Sequence, residues 1–321
     1  MKILITGANG FLGSWLCQVA TELHSARVFA LVRPKANIGQ IQNLDGLQIL
    51  QSDYSELSLN EVLTKLLNEE GAMDLMIHNA GLTKSIHREA FFKINVGLTN
   101  RVVQAIQETG ILTGKLAYVS SQAALGPVGL NGPVSAYGDS KLAAEQVIMN
   151  SGLNYLIYRP TGIYGPRDNE FLALFQSVKM GLYPCAAPKN QKMTLIHAFD
   201  VANNVITLSS QDFTNKIIHL EDGKVYSHSG MKAAIEKVLN KRSLMLVIPI
   251  WLTRLSLRTI KFFGSIFGFE PILTVEKHNE ITKDWDHDFS LERKEIPLSI
   301  KFDLHSGFAN TYEHYKSENL V

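Results

Sequence analysis

The stretch "ILITGANGFLGSWL", residues 3–16, decides the fold. A short β-branched run leads into a glycine-rich loop, and the loop opens a helical pattern. Gly7 permits the tight turn, Gly10 lets the backbone approach a pyrophosphate, and Gly13 lets the helix pack close to the strand. The start of that helix offers unpaired N–H groups to an anion. A strand, this loop and a helix in that order read as a dinucleotide-binding unit rather than a glycine-rich turn.

Working outward, "RVFALV" (27–32), "LQIL" (47–50), "DLMIH" (74–78), "KLAYVS" (115–120) and "NYLIY" (154–158) are continuous apolar runs. Such runs are expected of strands buried on both faces. Helical stretches are expected around 12–24, 58–69, 88–109 and 137–150. The alternation predicts an α/β chain, a Rossmann-type doubly wound parallel sheet. From about residue 166 the pattern loosens, although "MTLIHAFDVANNVITL" and "KIIHL" still read as material returning to the sheet. The expected division is a dinucleotide-binding domain over 1–165 with 191–220 returning to it. Residues 166–190 and 221–321 would form a smaller, discontinuous substrate-binding lid.

Where the second strand ends, an NAD-specific site usually carries an acidic residue for the ribose 2′-hydroxyl. Here "LVRPK" places Arg33 and Lys35. A guanidinium suits a 2′-phosphate, so the chemistry leans toward NADP, with NAD still open.

The stretch "SAYGDSKLAAEQVI" (135–148) sets Tyr137 four residues before Lys141 at the start of a helix. Positions i and i+4 share a helix face, so phenol and ammonium can reach one point. An unperturbed phenol titrates near ~10 and is a poor base at neutral pH; a nearby positive charge would bring it down.

The 321 residues are 45% hydrophobic and 19% charged, with 31 basic and 30 acidic side chains. That balance gives no indication of a nucleic-acid partner. Cys17 and Cys185 stand in unrelated contexts, so neither a disulfide framework nor a metal site is expected. The N-terminal run is too short and glycine-rich for a signal peptide, and a cytoplasmic protein is the expectation. The apolar segment 244–269 is interrupted by Arg254, Arg258 and Lys261, too broken to span a bilayer. These charges form one stripe on a helix expected over 249–267. Contact with a membrane surface and packing onto the lid, with Trp251 and Phe263 buried, are both open; packing is the preferred reading.

Taken together these motifs resemble the extended short-chain dehydrogenases/reductases of the NAD-dependent epimerase/dehydratase group, over nearly the whole length. "TGANGFLG" resembles that family's cofactor loop and "QSDYSE" its adenine-side segment. "HNAGLTKS" resembles the stretch after the fourth strand, and "INVGLTNRVVQA" the helix whose Asn95 shapes the active-site backbone. "YVSSQAALGP" supplies the serine, "YGDSK" the tyrosine and lysine, and "YRPTGIYGPRD" the loop near the nicotinamide. "LIHAFDVANNVI" resembles the segment tying the lid to the core through His197 and Asp200. The resemblance implies a catalytic set of Ser121, Tyr137 and Lys141, with Ser121 preferred over Ser120 for its spacing to Gly126. It implies cofactor contacts at Gly7, Asn9, Gly10, Phe11, Leu12, Gly13, Arg33, Asp53, Tyr54, Asn79, Ala80, Gly81, Tyr137, Lys141, Pro160 and Ile163. A homodimer formed through the helices near 88–109 and 137–150 is also implied.

Two departures bear on substrate. The interval from Ser121 to Tyr137 is shorter than in most relatives, which suggests a more open pocket mouth. Sugar-nucleotide enzymes of the family commonly carry an asparagine after the arginine strand, where this chain has Thr161 and Gly162. The pattern is closer to the reductase and 3β-hydroxysteroid-dehydrogenase-like branches. The expected function is NAD(P)-dependent hydride transfer to or from a ketone or secondary alcohol. A nucleotide-sugar epimerase or dehydratase with tightly held NAD, and a non-catalytic dinucleotide-binding protein, remain the alternatives.

Overall fold

The computed structural model describes residues 1–185, 188, 190–248, 280 and 282–321. The segment 249–267, with Trp251, Arg254, Arg258, Lys261 and Phe263, lies outside them. Just before it, Leu244–Val247 is a strand (β12) paired in parallel with Leu182–Cys185 (β8). Among the described residues no helix is long and apolar enough to cross a membrane, and no cluster of side chains could hold a metal ion.

Seven parallel strands form the central sheet: β1 (Lys2–Thr6), β2 (Arg27–Val32), β3 (Leu47–Gln51), β4 (Met73–His78), β5 (Leu112–Val119), β6 (Tyr155–Pro160) and β10 (Lys216–Leu220). Their order is β10-β6-β5-β4-β1-β2-β3. The chain winds from β1 out to β3, then restarts at β4 on the other side of β1. The strand order therefore reverses between β1 and β4, and a crevice opens there at the carboxyl ends of the strands. β1, β2 and β4 to β6 are buried on both faces, as their unbroken apolar runs require. β3 departs from that expectation: it is an edge strand and alternates between partly buried and exposed positions.

One face of the sheet is covered by α1 (Phe11–Glu22) and α7 (Ala198–Ser209), which pack Leu16, Val19, Val201 and Val205 onto Ile3, Ile5 and Val28. The other face takes α2 (Glu56–Glu70), α4 (Gly97–Thr109) and α5 (Ala136–Met149) over Leu4, Met76 and Ile157. The helical pattern expected as one run over 88–109 is three pieces: α3 (Arg88–Phe91), a π-helical turn (Phe92–Val96) and α4. A third cluster, with Tyr164, Phe175, Ile235, Phe308 and Tyr315 at its centre, joins α6 (Asn169–Lys179), α8 (His228–Leu239) and the helix Leu304–Ser317.

Residues 191–220 contribute to both layers. β10 takes the edge of the main sheet and α7 packs beside α1, whereas β9 (Met193–His197) sits between β7 (Gly162–Tyr164) and β11 (Val225–Tyr226) in a small separate sheet. The buried Asp200 carboxylate accepts the backbone N–H groups of Lys301 (2.9 Å) and Phe302 (3.0 Å), fastening the later segment to α7. The His197 ring caps α7 through Nδ1 and lies 4.2 Å, centroid to centroid, from Phe302.

Candidate active site

The glycine loop crosses the carboxyl end of β1. Gly7 turns with φ +65°, and a Cβ on Gly13 would stand 2.0 Å from the Gly7 carbonyl oxygen. The third glycine is thus required by the close approach of α1 to the loop. Gly10 caps α1 with no side-chain hydrogen bond and no acidic residue in the first turn. The N–H groups of Phe11, Leu12 and Gly13 have no partner within the helix and aim at the crevice, as a pyrophosphate site requires. These features fit a dinucleotide.

Beneath the loop stands Tyr54. Its hydroxyl donates to the Leu31 carbonyl (2.9 Å) and accepts the Gly7 N–H (3.1 Å), and its ring is buried. Tyr54 therefore acts on the crevice through the loop, and its own backbone sits at φ 63°. Asp53 beside it is exposed, with its carboxylate taken by the Ser55 N–H (2.8 Å). Arg33 follows the end of β2 and is exposed, free to meet a group at the rim. At the end of β1, Thr6 Oγ1 receives the N–H groups of Asn79 (3.2 Å) and Ala80 (3.1 Å), which follow β4, and Asn79 Nδ2 donates to the Gly7 carbonyl (3.4 Å). Asn9 lies in the loop itself; Pro160 and Ile163 lie across the sheet, ending β6 and forming β7.

The second half of the crevice lies over β5. Ser121 follows that strand and caps a 3₁₀ turn at Gln122–Ala124, accepting the Ala123 N–H (3.1 Å). Ser135 caps α5, and a Cβ at Gly138 would stand 2.4 Å from the Ala123 carbonyl oxygen. The missing side chain lets the start of α5 press onto the serine turn. Ser121 and Tyr137 are neighbours there, and the Ser121 hydroxyl favours the ionised phenol. Ser120 instead turns inward and donates to Glu145, whose carboxylate is gripped by Arg159.

Lys141, buried one turn along α5, directs Nζ to the Val119 carbonyl (2.8 Å) and the Tyr118 hydroxyl (3.4 Å), over the Tyr118 ring. A Cβ on Gly81 would lie 3.0 Å from Asn95 Oδ1 and 3.6 Å from that ammonium. Asn95, in the π-helical turn, accepts the Leu82 N–H (2.7 Å) and donates to the Leu82 carbonyl (3.0 Å) and Ser140 (2.9 Å). It locks the loop after β4 against α5. The crevice therefore brings together Ser121, Tyr137, Lys141, Asn95 and Gly81.

The electrostatics differ from the expectation for the Tyr–Lys pair. Burial pushes the Tyr137 phenol up to about 12, against the pull of the Ser121 hydrogen bond, and the Glu280 and Glu170 carboxylates push it further. Burial brings Lys141 down to about 8, with Glu145 opposing. In these surroundings desolvation and two acids act together, so the phenol holds its proton.

Several members of the site carried no readable signal. The Glu145–Arg159 pair joins a helix to a strand, and neither residue stands out in its own segment. His78 is buried between Thr6 (2.8 Å) and Thr99 (3.0 Å), although its segment "HNAG" had been singled out. The short loop after Ser121 is not left bare: the Asp284 carbonyl receives the Val128 N–H (2.9 Å), and His287 Nε2 bonds the Gly126 carbonyl (2.9 Å). Thr161 Oγ1 is buried with no hydrogen-bond partner among the described residues.

A glycine loop at the topological switch point of a parallel, doubly wound sheet is the arrangement of the extended short-chain dehydrogenase/reductase group. The model of the NAD dependent epimerase/dehydratase family matches residues 3–220. The chain belongs to that family and is an enzyme of it. It is 27% identical over 320 residues to the ceramide reductase of Caulobacter vibrioides, covering 98% of this chain and 94% of the relative. It is 24% identical over 335 residues to the UDP-glucose 4-epimerase of Vibrio cholerae, covering 99% and 96%. Its fold is similar to that of the UDP-glucuronic acid 4-epimerase of Bacillus cereus, solved with UDP-glucuronic acid and NAD, at TM-score 0.76 and 20% identity over 99% of this chain and 100% of that one.

Proposed function

We propose that this enzyme is a reductase of an apolar ketone, or in reverse a dehydrogenase of the secondary alcohol, with NADP preferred over NAD. The observation that carries the reading is the close packing of the Ser121 turn on the start of α5, which sets Tyr137 beside it and a buried Lys141 one turn along, in surroundings that keep the phenol protonated. A protonated phenol is an acid, and an acid is what a ketone oxygen needs as it is reduced. The similarity to a ceramide reductase over 98% of the chain supports the reductase branch. Thr161 and Gly162, in place of the asparagine common in sugar-nucleotide enzymes, point the same way.

The loop N–H groups would hold the pyrophosphate, Arg33 a 2′-phosphate, and Lys141 the nicotinamide ribose hydroxyls. When bound, the reduced nicotinamide supplies the hydride. Ser121 donates a hydrogen bond to the substrate oxygen and orients it. Tyr137 then transfers its proton to that oxygen and becomes a phenolate. The Lys141 ammonium and the Ser121 hydroxyl stabilise this phenolate until it regains a proton from solvent. Ser120 takes no part, because Glu145 holds it.

The test is direct. The purified protein is denatured and the released dinucleotide identified, and NADPH consumption is followed with long-chain ketones and with UDP-sugars. Little bound cofactor and ketone-dependent NADPH consumption are expected. Stoichiometric NAD with interconversion of UDP-sugars would establish the epimerase reading instead.

A further inference from the structure

Glu280 is a buried carboxylate that the reaction above does not use. Its side chain accepts the Ser135 hydroxyl, and Ser135 is the cap of α5, accepting the Gly138 N–H at 3.1 Å. Both residues are at least nine-tenths buried. The Glu280 backbone is fixed as well, since its carbonyl receives Trp285 Nε1 (2.9 Å) and the Lys283 N–H (3.2 Å). Trp285 in turn is tied to the site: its carbonyl accepts Thr194 Oγ1 (3.1 Å), and its N–H donates to the Lys192 carbonyl (2.8 Å). A negative group therefore sits, on a braced backbone, at the cap of the helix whose second residue is Tyr137.

We propose that Glu280 belongs to the catalytic centre as a positioning residue: its carboxylate anchors the Ser135 cap of α5 and holds the Tyr137 proton in place for delivery. The anchor fixes where the phenol stands, and the charge opposes formation of a phenolate before substrate is seated. This rests on Tyr137 being the acid.

Among the described residues, the other groups around Tyr137 are these. Ser121 lies beside it on the turn after β5, and the Phe91 ring of α3 lies 6.1 Å away. Tyr118 on β5 and Lys141 on α5 lie on the inner side. Glu170 on α6 is an opposing charge, but it is exposed and paired with Lys84 at 2.7 Å. Arg88 of α3 pairs with Asp139 at 2.6 Å on the outer turn. Of the two carboxylates that act on the phenol, Glu280 is the one removed from water.

The experiment needs no substrate. Wild type, Glu280→Gln and Glu280→Asp are saturated with NAD⁺, and the near-ultraviolet phenolate band is titrated with pH, with the Tyr137→Phe titration subtracted. Gln keeps an acceptor for Ser135 and loses the charge, so the Tyr137 midpoint should fall by about half a pH unit or more. Asp draws the charge back by one methylene and should fall less, in the same direction. An unchanged or raised midpoint in Glu280→Gln overturns the proposal, even with lowered activity. Should Glu280→Gln fail to fold, the Asp variant carries the same test, with an unmoved midpoint counting against it. If Tyr137→Phe keeps full ketone reduction, the failure belongs to the acid assignment and not to Glu280.

Discussion

The Arg159 guanidinium grips the Glu145 carboxylate with two bonds, Nε to Oε1 at 2.9 Å and Nη2 to Oε2 at 2.6 Å, both side chains being buried. The pair joins β6 to α5, so the strand that ends at Pro160 and the helix that bears Tyr137 are locked in register. Glu145→Gln would leave a buried guanidinium without its counter-charge. An expected loss of about 3 kcal/mol or more follows from breaking such a pair. Urea unfolding checks it, and a loss under about 1 kcal/mol would show that water or a shifted side chain replaces the pair.

Tyr137→Phe keeps the ring against Phe91 and removes the proton. Turnover should fall at least about a hundredfold with dinucleotide affinity kept within a few-fold. Activity surviving within about tenfold would remove Tyr137 from the acid role. Lys141→Ala should lower both affinity and rate, and a change in only one would count against its double duty.

Arg33→Asp puts a carboxylate where a 2′-phosphate would sit and where a ribose hydroxyl could donate. The ratio of NADPH to NADH affinity should invert. Equal ratios in wild type and variant, measured by fluorescence titration, would show that Arg33 faces elsewhere.

Tyr54→Phe leaves the Gly7 N–H and the Leu31 carbonyl without the hydroxyl that joins them. The penalty for unpaired buried polar groups is about 1–3 kcal/mol, and here it falls on the loop proposed to hold the pyrophosphate. Dinucleotide Kd should rise by about fivefold or more, with kcat at saturating cofactor within about twofold. A change in kcat without a change in Kd would contradict this loop-bracing role.

His78 is buried as the neutral ring, pushed from 6.5 down to about 3 by desolvation first and by the Lys141 charge second. As pH falls below 6.5 the unfolded chain takes up a proton that the folded chain refuses until about pH 3. The stability contribution is full above the higher value and is lost through that window. His197, also held near 3 chiefly by burial, adds the same dependence. His78→Gln should remove one proton from the linkage, so its stability should fall less steeply between pH 6.5 and about 4, by about 1.4 kcal/mol per pH unit. Parallel slopes for the two proteins would show that His78 is protonated in the fold.

What could be read from the sequence was what is local. The glycine loop, the apolar strands and the Tyr137–Lys141 spacing each lie within one or two turns of chain, and the structure has a loop, strands and a shared helix face in those places. The π-helical turn at Phe92–Val96 was not readable, because one extra residue per turn leaves an apolar periodicity that still passes for a plain helix. The half-open face of β3 escaped too, since being at a sheet edge is a property of topology and not of composition. Glu280 gave no sign because its partner Ser135 is 145 residues away. The balance at Tyr137 was misjudged for the same reason: the ammonium one turn away is visible in the sequence, whereas the desolvating walls and the distant acids are not.

His287 and Gly126, bonded across 161 residues of chain, set an order of assembly. A polypeptide leaves the ribosome from its N-terminus, and its domains fold in that order. The loop that follows Ser121 is therefore made long before the strip that roofs it. The nucleotide half of the crevice can form and be occupied while the other half still waits for its roof. A nascent chain would thus pass through a stage in which the groups beneath are in place and only their cover is missing.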